Sequence, residues 1–195
     1  MERLEFLVEE SSAAEVLKAI LPKILTDSWV LGVNYFIRPH QGKSDLKKSI
    51  PAKIKAFRKY PQKVGIVVLQ DQDSNDCKAL KSDLVKLCTD HANENTPFLV
   101  RIACHELEAW YIGDMNALGI AFPRFKPDNH RNKASFRNPD ACVNPKNILK
   151  RILGDYSQTP KAREIGAQMD VNNNRSESFN QFVIGIKRFI EQNTN

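Results

Sequence analysis

The stretch KVGIVVLQDQDSND, residues 63–76, restricts the fold of this chain more than any other. It opens with an unbroken apolar run of strand length, rich in valine and isoleucine. A strand with one wet face alternates apolar and polar residues. A strand without alternation has both faces covered, which is the situation of an inner strand in a parallel sheet flanked by helices. The run then stops at DQD, where Asp71 and Asp73 bring negative charge to what would be the strand's carboxyl end.

The surrounding pattern agrees with such a sheet. Residues 4–8 (LEFLV) read as a first strand. The following apolar positions Val16, Leu17, Ile20, Leu21, Ile24 and Leu25 recur at helical spacing. Ser11 or Ser12 is expected to cap that helix, and Pro22 to bend or break it. Residues 29–37 (WVLGVNYFI) read as a second strand. A lysine-rich helix follows, with Pro51 expected in its first turn and Ile54 and Phe57 on its apolar side. After the inner strand come a helix over residues 77–91 and a fourth strand over 98–104 (FLVRIAC). Strand and helix alternate throughout, which predicts an α/β, Rossmann-like, mostly parallel four-stranded sheet covered on both faces.

From residue 122 to 145 Pro, Asn, Arg and Lys replace the periodic pattern, so a long loop is expected there. Helices over 145–153, 161–169 and 176–192 follow as a C-terminal helical extension. The last carries Phe179, Phe182, Val183, Ile186, Phe189 and Ile190 as a core-facing stripe. The expected organisation is an α/β core over residues 1–118, with the basic loop and C-terminal helices of residues 119–195 packed on it as one domain.

Charge narrows the partners. The chain has 195 residues and a net charge of +6. Residues 43–63 and 124–151 hold 16 of its 29 lysines and arginines but only three of its 23 acids, so the remainder is net acidic. Two basic segments predict a polyanion partner such as DNA or RNA, although both can equally be solvated faces. The candidates for phosphate contact are Lys43, Lys47, Arg131, Lys133, Arg137 and, at the start of a later helix, Lys161. No apolar run is long enough to cross a membrane. The start, MERLEFLVEE, lacks a basic-then-apolar signal layout, so a cytoplasmic location is expected. The four cysteines show no CxxC spacing and are expected to be reduced and free of zinc.

In a parallel α/β sheet the binding crevice lies beyond the carboxyl ends of the strands, where strand order reverses. If the order is 2-1-3-4, the first and third strands are neighbours, and Glu9 and Glu10 meet Asp71 and Asp73 at one rim. On an extended chain Asp71 and Asp73 point the same way. Clustered carboxylates repel unless they are protonated or neutralised, and hard oxygen donors suit Mg²⁺ or Mn²⁺. The bland readings are that Asp76 caps the next helix, that Asp73 caps a turn and that Glu10 is solvated. Within HELEAWYIGD, Glu106 or Glu108 can reach the same crevice, while Trp110 and Tyr111 read as core. Phosphate-cradling glycine motifs and a serine nucleophile elbow are absent.

An acid closing the first strand, a DxD closing the third and the lack of a glycine-rich phosphate loop resemble the Toprim fold. The ordered set FLVEE, VVLQDQDSNDCKALKSDL, RIACHELEAWYIGD, NPKNILKRIL and RSESFNQF resembles a bacterial Toprim-like group, the domain of unknown function 4276 family, over nearly the whole chain. The resemblance implies a Mg²⁺- or Mn²⁺-dependent nuclease or related phosphoryl-transfer protein. It implies Glu9 as the acid-base and metal-associated residue, Asp71 and Asp73 as metal ligands, and Glu108 as a further catalytic acid. It also implies an ATPase partner in a bacterial defence system. One departure stands out: Glu10 occupies a position where the family pattern has glycine. The competing reading is a non-catalytic nucleic-acid-binding subunit of an ATPase-containing complex. A phospho-accepting signalling domain would need a lysine at a later strand end, and no fifth strand supplies it.

Overall fold

A computed structural model describes residues 1–154 and 156–194; of the expected C-terminal part, residues 155 and 195 lie outside the described residues. The chain runs β1 (Arg3–Val8), α1 (Ser11–Ile24), β2 (Tyr35–Pro39), α2 (Lys43–Phe57), β3 (Val64–Asp71), α3 (Cys77–Thr89), β4 (Phe98–Ala103), α4 (Glu108–Gly113), α5 (Met115–Ala121), α6 (Ala134–Arg137), α7 (Pro145–Leu153), α8 (Gln158–Gln168) and α9 (Glu177–Asn193). The four strands form one parallel sheet in the order β2-β1-β3-β4. β1 and β3 are therefore central neighbours, with Val8 opposite Leu69. All of Val64–Gln70 is buried, as its unbroken apolar character requires.

The two faces of β3 divide the core. Val67 and Leu69 join Phe6 and Val8 beneath α1, α4, α8 and α9. Val64, Ile66 and Val68 join Leu7 beneath α2 and α3, against Leu46, Ile50, Ile54, Leu80 and Leu84. The C-terminal helices supply much of the first layer, including Phe179, Phe182 and Ile186 as the helical spacing predicts. α8 lies close along α1: a side chain at Gly166 would stand 3.1 Å from Ala19 Cβ and 3.3 Å from Val16 Cα. The Lys23 ammonium closes that pair by donating to the carbonyls of Ala167 and Met169, both at 2.8 Å, where the last helical carbonyls have no partner of their own. No described helix is long and apolar enough to cross a membrane.

Several local expectations are corrected. Residues 29–34 are not strand. Gly32 adopts φ 82°, Asn34 Oδ1 accepts from the Val30 amide at 2.7 Å, and Val30 and Val33 are exposed, so turn chemistry overrides the β-branched composition. Pro51 sits inside α2 rather than in its first turn, and α2 continues through it. Pro22 is tolerated until the helix ends two residues later. The N-cap of α1 is Glu10, not a serine, and it makes no side-chain cap bond. The Ser12 hydroxyl donates instead to Glu10 Oε1 at 2.6 Å. The basic stretch 122–145 is not one loop: α6 and two short 3₁₀ turns (Pro127–Asn129, Pro139–Ala141) are pinned by buried Phe125, Phe136 and Cys142. All four cysteines are free.

Candidate functional site

The parallel pairing of β1 and β3 brings their acidic tips together. The Asp71 backbone N–H donates to Glu9 Oε2 at 3.3 Å, across 62 residues of sequence. Asp71 closes β3, and its side chain points to the layer that holds Glu108, because alternate strand residues share a face and Leu69 lies in that layer. Asp73 departs from the extended geometry expected of it. It takes φ 52° in a turn, its amide donating to the His105 carbonyl at 2.7 Å. His105 is itself left-handed (φ 56°), and its amide donates to Gln72 Oε1 at 3.1 Å. The β3–α3 and β4–α4 connections are thereby tied into one rim, with Asp73 turned towards Lys43 at the start of α2. The Lys43 ammonium donates to Asp73 Oδ2 at 3.0 Å. As expected, Asp76 caps α3, accepting from the Ala79 amide at 2.8 Å.

The electrostatics of this rim follow from burial and crowding. Burial, then the Asp73 charge, raises the Glu9 carboxyl above its ordinary range, with the Asp71 amide and Lys43 acting in the opposite sense. Burial raises Asp71 well above the ordinary carboxylate range, followed by the charges of Glu108 and Glu9. Glu108, at the start of α4, is 1% exposed, and burial pushes it up to about 7. Its Oε1 accepts from the Tyr156 hydroxyl at 3.0 Å. Among the described residues its Oε2 has no hydrogen-bond partner, nor does the nearby buried Tyr111 hydroxyl. Acids pushed together and out of water favour a proton or a cation among them.

Two participants had no local signal in the sequence. Tyr156 precedes α8 and reaches Glu108, and Gln158 opens α8 and donates its amide to Glu10 Oε1. Glu10 is thus tied to Ser12 and Gln158 rather than solvated. The polar stretch YSQTPK, residues 156–161, which leads into and opens α8, is the feature that could have flagged them. Glu106 has a structural partner: its Oε2 accepts from the Lys146 amide at 3.0 Å in the first turn of α7. Trp110 and Tyr111 are core.

The basic candidates scatter. Lys43 belongs to the rim, and Lys47 lies one turn along α2. Lys161 is on α8, 5.0 Å from the Phe122 ring centroid and paired with Glu164 at 2.7 Å. Arg131, Lys133 and Arg137 are exposed on the segment between α5 and α7. Arg131 faces Asp128 at 3.6 Å, and the Lys133 ammonium lies 3.3 Å from His130 Nδ1.

In donor chemistry the rim fits a hard divalent cation: carboxylate oxygens from Glu9, Asp71, Asp73 and Glu108, one of them buried and orphaned. Among the described residues, no three acidic, histidine or cysteine side chains already converge on one cation-sized point.

No curated protein sequence matches the chain significantly. Among solved structures, the C-terminal region of the Burkholderia pseudomallei OLD protein superposes over 100% of this chain and 98% of its own, with TM-score 0.56 and 13% identity. That likeness is one of fold, and it makes the parallel sheet with its flanking helices Toprim-like. The family described as "Domain of unknown function (DUF4276)" matches residues 8–187. The chain therefore belongs to the DUF4276 family.

Proposed function

We propose that the protein is a divalent-metal-dependent nuclease acting on DNA or RNA, with Glu9, Asp71, Asp73 and Glu108 as its catalytic acids and Mg²⁺ or Mn²⁺ as cofactor. A cytoplasmic setting and an ATPase-bearing partner in a bacterial defence system complete the proposal. The observation that carries it is the Asp71 amide on Glu9 Oε2, which sets two acids with raised pKa values side by side at the crevice of a parallel sheet.

Glu9, Asp71 and Asp73 would hold the cation, and Lys43 neutralises Asp73 in its absence. A bound cation supplies Lewis acidity at the scissile phosphate and acidifies an attacking water. Glu9, partly buried and with a raised pKa, can accept that water's proton. Glu108, balanced near neutrality, can hold or return a proton, and Tyr156 keeps its carboxyl oriented. The exposed cations of the segment between α5 and α7 attract the polyanion at long range.

The test is cleavage of end-labelled DNA and RNA with Mg²⁺, with Mn²⁺ or with chelator. Asp71→Asn should lower cutting by at least about a hundredfold, the upper range for disturbing even a metal's outer partners, and leave nucleic-acid binding intact. Cutting that survives this change, or that ignores chelator, removes the proposal. Binding without cutting under every condition favours the non-catalytic subunit.

A further inference from the structure

Behind the segment that delivers Tyr156 and Gln158 to the acids lies a cavity of about 540 Å³, between the end of α5, the end of α7 and the first turn of α8. Its volume lies in the range that encloses small organic ligands. Three cations line it, Arg124, Arg151 and Lys161, together with Phe122, Ile152 and Leu153. Phe122 stands on a fixed corner. Its amide donates to the Leu118 carbonyl and its carbonyl accepts from Phe125, both at 2.8 Å. The Phe125 ring is itself buried against His130, centroids 4.8 Å apart and nearly parallel. The ring of Phe122 remains partly exposed.

We propose that this cavity is a subsite for one unpaired nucleotide of a nucleic-acid strand, the base stacking on Phe122 and the phosphates meeting Arg124, Arg151 and Lys161. The proposal rests on the nuclease reading for the placement of the strand, since the first turn of α8 links the cavity to Glu10. Gln158, which donates to Glu10, and Lys161, which lines the cavity, are three residues apart on α8, a rise of about 4.5 Å. A strand whose phosphate sits at the acids therefore passes its neighbouring nucleotide into the cavity.

Charge and shape both select this occupant. An apolar wall with an aromatic ring takes the flat face of any base, and only an unpaired base offers that face. Three cations around the ring take the backbone, while a neutral apolar ligand would leave them unused. Lys161, whose ammonium lies 5.0 Å from the Phe122 ring centroid, swings off the ring to a phosphate as the base stacks, and its partly exposed pair with Glu164 opposes this by no more than about 1 kcal/mol.

The test is fluorescence anisotropy of fluorescein-labelled oligothymidine and oligouridine, about twelve nucleotides long, titrated with the full chain in chelator. Phe122→Ala should weaken binding by roughly 5- to 100-fold, the loss of one stacked base. The double change Arg124→Glu, Arg151→Glu lies on exposed positions and should spare the fold. It should also lower the slope of log affinity against log salt by about 1.4, two single-strand phosphate contacts. Lys86→Glu, on the exposed face of α3, should bind as the parent does. Parent-like affinity and slope for both cavity variants on both probes overturns the subsite, and so does an equal loss in Lys86→Glu. Because this readout needs neither metal nor cutting, it separates the two proposals. Cavity-dependent binding without any cleavage defeats the nuclease reading alone, and cleavage with cavity-independent binding defeats the subsite alone.

Discussion

Glu5 and Glu108 are the most deeply buried carboxylates among the described residues, at 0% and 1% exposure, and their surroundings are opposite. Glu5, in mid-β1, receives the Arg3 guanidinium at 2.6 and 2.8 Å and the Arg38 guanidinium at 2.9 Å. Arg3 in turn lies 3.9 Å over the Phe36 ring. Glu108 has one hydroxyl on one oxygen and, among the described residues, no hydrogen-bond partner on the other. Burial costs a carboxylate several kcal/mol unless charge and hydrogen bonds return it. At Glu5 the fold returns it. At Glu108 the fold does not, and the group gives up part of its charge instead, titrating near 7. The contrast teaches that β1 carries two kinds of acid: one in mid-strand whose partners are built in, and one at its tip, Glu9, whose neighbours are other acids.

The largest effect that can sharpen this contrast is the pH dependence of stability without divalent cation. Glu108 has a folded pKa near 7 against an ordinary 4.5. The folded state therefore holds a proton that the unfolded state releases. Stability from this group is full below pH 4.5, falls as pH rises to 7 and is flat beyond, a loss of about 3 kcal/mol. Asp71 and Glu9 are shifted the same way and steepen the fall. Urea unfolding from pH 4.5 to 8 should show the decline, and Glu108→Gln should flatten it. A stability that climbs over this range would mean that Glu108 is ionised and paired in the folded state. Adding Mn²⁺ at pH 8 should restore stability by about 2.7 kcal/mol at a hundredfold excess over its Kd, since the ionised acids are the binding form.

The complementary change at Glu5 is somewhat smaller. Glu5→Gln leaves two guanidinium groups facing a neutral amide. Both reach solvent in part, so the cost should be about 2 kcal/mol rather than the full cost of a stranded buried charge, while cleavage and its metal dependence stay unchanged. An activity loss with unaltered stability would erase the distinction between the two acids.

The same contrast explains what the sequence could reveal. The unbroken apolar run of β3 and the alternation around it specify a parallel sheet, and the sheet places Glu9 beside Asp71 without any long-range information. Trp29–Asn34 misleads because β-branched residues favour strand only when a neighbour pairs with them; here Gly32 and Asn34 turn the chain first. Asp73 misleads because the extended spacing ends where β3 ends, one residue past Gln70. Partners supplied from far along the chain leave no trace in local pattern. Arg38 for Glu5 lies 33 residues away, Tyr156 for Glu108 lies 48, and Gln158 for Glu10 lies 148. Which acid is satisfied and which is not was therefore invisible, and under the proposed function that difference separates a structural carboxylate from a catalytic one.

Asp140 provides the smallest and cleanest check, because it is an acid in a polar cluster of the satisfied kind. Its Oδ1 accepts from the hydroxyls of Ser176 at 2.7 Å and Ser178 at 2.9 Å, and its Oδ2 accepts from the Ser178 amide at 3.0 Å. Ser178 Oγ also accepts from the Trp110 indole at 3.0 Å. Ser176 caps α9, accepting from the Phe179 amide at 3.2 Å. The closing RSESFNQF stretch is thus a device for starting α9 and fastening it to α4, with no orphaned oxygen left for a ligand. Ser176→Ala removes the cap and one of Asp140's donors. It should cost about 1 kcal/mol, a fall in Tm of about 2–4 °C for a chain of this size. Cleavage rate and Mn²⁺ response should stay within about twofold of the parent, since RT ln 2 is only about 0.4 kcal/mol of barrier. A tenfold loss of activity at unchanged Tm would show that this cluster takes part in the chemistry, and that a full set of hydrogen bonds does not mark an acid as structural in this fold.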